Sequence, residues 1–232
     1  MELSEFKIRQ VIFEIRYDNA FILWDRAGGI SRDLTKIWPN LKLTEGTPNQ
    51  QSLRSEDLSI QTSLLTSHIA LIQPSNISQF SEQIEETLRI WITSLEIKKF
   101  SRIGTRVIYA KTFESEDLAQ KAVMNLGLVK YPEAPFFNHK IPPRSSEVKL
   151  LWQDDSSQTQ IIVKSEHQEV EVGGLSDNPR DKHKKTADVM LIDIDRATRG
   201  DVELSKFRVV DWLEGVQHLI ARDVKRILNS QK

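Results

Sequence analysis

The sequence predicts an α+β protein: a ferredoxin-like N-terminal half over residues 1–127, a Pro-rich linker or ordered loop over 128–147, and an antiparallel sheet packed by a C-terminal helix over 148–232. Two observations carry this. Between residues 11 and 110 the hydrophobic period runs strand, helix, strands, helix, strand, the order of a ferredoxin-like layer. After residue 147, four strand-like segments precede one long amphipathic helix. The pattern leaves open whether the halves are separate domains or share one sheet.

The elements follow in order. VIFEIRY (Val11–Tyr17) places Val11, Phe13, Ile15 and Tyr17 on one face of a strand. Leu23, Ala27, Ile30, Leu34 and Ile37 recur at helical spacing; Gly28-Gly29 is expected to break or bend that helix, and Trp38-Pro39-Asn40 to end it. Leu41–Leu43 reads as a short strand before a polar loop reaching about Asp57, and 58–64 with 69–73 as a hairpin. Pro74-Ser75-Asn76 supplies a turn and caps for a helix striped by Ile77, Phe80, Ile84, Leu88, Trp91 and Leu95. Arg102–Ala110 is a strand, and the helix from Ser115 to Leu126 closes on Gly127. Strands are expected at 148–153, 159–164, 169–172 and 189–195, with turns at Asp154–Ser157 and around His167. Leu213, Val216, Ile220, Val224 and Ile227 stripe the last helix, 210–228.

Composition narrows the function classes. Hydrophobic residues make up 39% and charged residues 28%, an ordinary balance for a globular core. The formal net charge of −1 supplies no global field toward nucleic acid or an acidic membrane. With no cysteine, disulfide frameworks, thiolate zinc sites and cysteine nucleophiles are excluded. The N-terminus interleaves charges with apolar residues, unlike a signal peptide, and no segment approaches a membrane span; a cytoplasmic location without membrane attachment is expected. His68, His139, His167, His183 and His218 show no metal-site spacing, and no nucleophile elbow, P-loop or dinucleotide fingerprint occurs. No cofactor is expected on these grounds.

Chemistry is concentrated where charge interrupts strands. Asp193 and Asp195 project from one strand face and offer hard oxygen ligands to Mg²⁺ or Mn²⁺, with Glu14 as a third ligand, the constellation of a phosphoester enzyme. Their other reading is two carboxylates at the strand's exit, solvated or paired with Arg196 and Arg199. Arg16, Arg102 and Arg106 fall on the sheet face away from the helices, because the first and last strands of a ferredoxin-like layer are antiparallel neighbours; such a face suits phosphate or nucleic acid. A cross-strand ladder of ion pairs beneath the second domain is the favoured reading of that set. Arg180, Lys182, Lys184 and Lys185 form a basic run, expected as a solvated loop and a secondary candidate for phosphate contact.

Three segments, VIFEIRY, IGTRVIYAKTF and LIDIDR with the following WLEGVQHLI helix, resemble a sporadically distributed family of uncharacterised bacterial proteins. Ala110-Lys111 departs from that family's pattern of an Asn and a second basic residue. The resemblance implies no activity; the family's patchy distribution implies an accessory role, such as phage conflict or mobile elements. The expectation is therefore a non-catalytic binding or protein-interaction module with a protein partner, a homo-oligomer included. The metal-dependent phosphoester enzyme and the nucleic-acid binder are the alternatives.

Overall fold

The structure, a computed structural model, describes residues 1–128, 147–173 and 182–229, with the backbone alone at 169–173 and 182–185. Most of the Pro-rich stretch, together with Arg180 and Asp181, lies outside the described residues. The element order is β1 (Lys7–Arg16), α1 (Leu23–Ile37), β2 (Lys42–Thr47), β3 (Gln50–Arg54), β4 (Leu58–Ser63), β5 (Thr66–Ile72), α2 (Ser81–Ser94), β6 (Lys99–Phe100), β7 (Arg102–Phe113), α3 (Glu116–Met124), β8 (Glu147–Gln153), β9 (Ser157–Gly173), β10 (Lys182–Thr198), β11 (Val202–Glu203) and α4 (Val209–Leu228).

Nine strands form one antiparallel sheet in the order β2-β3-β4-β5-β1-β7-β10-β9-β8. The central run β4-β5-β1-β7, crossed by α1 and α2, is the ferredoxin-like order. The β2–β3 hairpin widens it on one side and β10-β9-β8 on the other, so the sheet runs unbroken through both halves of the chain. The fold is α+β, with α4 packed on the sheet.

One face carries the core. Val11, Phe13 and Ile15 of β1 are fully buried and lie in register with Val107, Thr105 and Ile103 of β7. Two tryptophans tie helices to this face: Trp91 Nε1 of α2 donates to Thr62 Oγ1 of β4 at 2.9 Å, and Trp212 Nε1 of α4 donates to Thr105 Oγ1 at 2.8 Å. A threonine hydroxyl buried without a partner would cost about 1–3 kcal/mol, and each indole removes that cost while filling space. Helix α4 buries Leu213, Val216, Ile220, Val224 and Leu228, the stripe its period of 3.6 predicts, displaced by one residue at the last turn.

Several expectations are corrected. Helix α1 passes through Gly28-Gly29 without interruption, because Leu23, Ile30 and Leu34 anchor it on either side of the pair. The polar loop expected after Leu43 is the β2–β3 hairpin, closed at Pro48-Asn49. The capping residues before α2 serve a turn instead: Asn76 Oδ1 accepts from Ser78 N, and the helix begins at Ser81 without a side-chain cap. The turn expected around His167 is the interior of β9, where His167 pairs across to Asp188. Lys182, Lys184 and Lys185 belong to β10 and not to a loop; backbone pairing with 170–173 carries the strand through a polar sequence. Gly127 takes a left-handed φ of 66° after α3, and Asp154 closes the β8–β9 turn, both as the sequence predicts, while Ser115 caps the start of α3.

Candidate charge ladder on the open sheet face

Period-two alternation sends Glu14 and Arg16 of β1, Arg102, Gly104 and Arg106 of β7, and Asp193, Asp195 and Ala197 of β10 to the sheet face opposite the core. There the charges close on one another. Glu14 Oε1 accepts from Arg16 Nε and from Arg102 Nη1, each at 2.8 Å. Arg102 Nη2 donates to both oxygens of Asp195 at 3.0 Å. Arg106 grips Asp193 as a fork, Nε to Oδ1 at 2.8 Å and Nη2 to Oδ2 at 2.5 Å, and that bond holds the Arg106 guanidinium above its ordinary pKa against the effect of burial.

The register explains this geometry. Arg16 stands directly opposite Arg102, a like-charge pairing that destabilises a sheet unless an anion lies between, and Glu14 is that anion. Arg102 reaches Asp195 over the row Glu14, Gly104, Ala197, which crosses three strands. The middle position has no side chain and its neighbour on β10 only a methyl, so the guanidinium lies flat in a trough. A Cβ built on Gly104 would fall 2.5 Å from Arg102 Nη1 and 2.9 Å from Cζ. Arg102 is the innermost cation, 17% exposed at its side chain, whereas Arg16 and Arg106 are about half exposed.

The sequence-predicted residues Glu14, Arg16, Arg102, Arg106, Asp193 and Asp195 thus come together in one patch. Three guanidinium groups meet three carboxylates, a balanced set. Among the described residues no group of three or more His, Asp and Glu side chains is arranged to hold a metal ion. Nor does any Phe, Tyr or Trp of the sheet strands point to this face, so it lacks the stacking platform of RNA-binding sheets. Lys182, Lys184 and Lys185 lie at the far end of β10, beyond Asp188, away from the ladder along the same strand. Two participants carry weak signals in sequence: Gly104, a lone glycine inside a strand, and Ala197, after the acidic pair.

His68 of β5 adjoins the ladder, directly opposite Glu14. Burial lowers its pKa from the usual 6.5, partly offset by the Glu14 carboxylate. On acidification the unfolded chain therefore takes up this proton first, and stability falls as pH drops below about 6.5 until the folded histidine also titrates. The stability difference between wild type and His68→Gln, measured by urea titration from pH 7.5 to 5, should move in favour of the variant as pH falls. A difference independent of pH contradicts this placement.

Among the described residues no helix is long and apolar enough to cross a membrane. No protein-family model matches the chain, and no curated protein matches it.

Proposed function

We propose that the chain is a non-catalytic protein-interaction module of an accessory bacterial system. The observation that carries the reading is the self-neutralised ladder: each of its six charged side chains is committed to a partner within the set. A metal would have to displace arginine from Asp193 and Asp195, and a phosphate would have to displace carboxylate from Arg102 and Arg106. Large apolar side chains meanwhile stand exposed, Phe21 with Trp24 edge-to-face at 5.4 Å, and Leu151 with Trp152 on β8. The Phe21–Trp24 pair is a contiguous apolar contact of the kind that marks an interaction surface, whereas Leu151 and Trp152 project to opposite faces of β8. The accessory setting, phage conflict or mobile elements, rests on the three resembling segments.

Thermal unfolding with and without Mg²⁺ or Mn²⁺ tests the reading, for wild type and for Asp193→Ala with Asp195→Ala. A ligand that binds only the native state raises its apparent stability. The expected result is no metal-dependent shift in either protein. A rise in wild type that the double variant abolishes overturns the reading in favour of the phosphoester enzyme. Binding of single-stranded RNA that weakens steeply with salt and disappears in Arg106→Ala overturns it in favour of a nucleic-acid binder.

A further inference from the structure

A sheet with two ends exposes two rows of unpaired backbone groups, each a template for another strand unless it is guarded. This sheet guards one end. Strand β2 carries a register shift between Leu43 and Glu45, a glycine at 46, and Lys42 directly opposite Arg54, and all six of its residues are exposed. The other end is built differently. Strand β8 pairs with β9 over seven consecutive residues without a shift and contains neither proline nor glycine. Four of its seven residues are apolar, EVKLLWQ, and Leu151 and Trp152 are 55% and 51% exposed. Among the described residues no strand pairs with its outer side.

Resting on the interaction-module reading, we propose that β8 is a homodimer edge. Two copies pair antiparallel through Glu147–Gln153 about a two-fold axis at Leu150, so that one sheet runs through both. The strand's own sequence selects a second copy. In that register Leu150 meets itself, Val148 meets Trp152, Lys149 meets Leu151 and Glu147 meets Gln153, with no like charges opposed. Sliding the axis to Lys149 would set two ammonium groups against each other. A net charge of −1 offers little long-range repulsion between copies. Because β2 is guarded, head-to-tail growth from β8 onto β2 is blocked, and the isologous pair closes at two. Seven paired residues bury less than the roughly 800 Å² per partner of a standard interface, so the dimer is weak and concentration-dependent.

Sedimentation velocity over a concentration series, with the full chain, provides the test. Wild type should pass from monomer to dimer, and Leu151→Lys with Trp152→Lys, both at exposed positions, should weaken dimerisation at least tenfold. The first substitution sets a second cation opposite Lys149 of the other copy. The chain's lack of cysteine gives an independent readout of register. Leu150→Cys should form an intermolecular disulfide on mild oxidation, since opposed Cα atoms of an antiparallel pair lie about 4.5–5.5 Å apart, within the span a disulfide bridges, whereas Leu43→Cys on β2 should not. A chain that stays monomeric, with no Leu150→Cys cross-link, overturns the edge and leaves the interaction module with a different partner. A dimer insensitive to the lysine pair overturns the edge while upholding self-association. A metal-dependent stabilisation at Asp193 and Asp195 sinks the underlying reading instead.

Discussion

Arg102→Met should lower stability by about 2–3 kcal/mol, the larger of the two effects expected at the ladder. Methionine keeps the aliphatic cover of the strand and removes the charge. It leaves Glu14 with the half-exposed Arg16 alone and Asp195 with no cation bonded to it, two carboxylates whose side chains are only 26% and 30% exposed. Breaking a fully buried pair costs about 3–5 kcal/mol, and partial solvent access at both carboxylates places this site below that range. For a chain of this size the loss corresponds to a fall in Tm of roughly 5–10 °C. Adding Glu14→Gln and Asp195→Asn should return part of it, because the triple variant leaves no partly buried carboxylate uncompensated, and Arg16, which loses its partner, is half exposed to water. Urea titration of the three proteins at pH 7 measures both steps. A single variant within about 0.5 kcal/mol of wild type would mean that the ladder is solvated and energetically idle.

The pairs Glu14/Arg16, Arg102/Arg106 and Asp193/Asp195 are legible in the sequence because a strand's period of two is local information. Their convergence is not. It depends on β10 pairing with β7, a contact between residues about ninety positions apart, and on the register that sets Asp195 opposite Arg106 and within reach of Arg102. The β2–β3 hairpin escapes a hydrophobic reading for a related reason: Leu43 is exposed and Leu53 is its one buried apolar side chain, so backbone pairing holds the hairpin more than apolar packing does. The outer reach of β10, residues 182–188, is a polar run without apolar alternation. There, backbone pairing with 167–173 of β9 carries as a strand a segment that the sequence reads as a loop. Helices α1, α2 and α4 are recovered from their stripes because each buries a single face against the sheet.

Gly104→Ala should cost about 1–2 kcal/mol in wild type and change sign once Arg102 is gone. No backbone constraint demands glycine here, since its φ is not in the left-handed region. Glycine inside a strand ordinarily loses about 0.5–1 kcal/mol to alanine through the entropy of the unfolded chain. What alanine meets is the guanidinium, 2.5 Å from the new methyl at Nη1. That guanidinium is the far end of a flexible side chain and can lift away, but lifting breaks its bonds to Glu14 and to both oxygens of Asp195. In an Arg102→Ala background nothing occupies the trough, and the ordinary advantage of alanine returns, so Gly104→Ala should then stabilise by about 0.5 kcal/mol. The double-mutant cycle should give a coupling of about 2 kcal/mol. Additive single effects would mean that Gly104 serves the strand rather than the arginine. Coupling of the expected size would identify the glycine as the uncharged seventh member of the ladder, present for the space that it leaves.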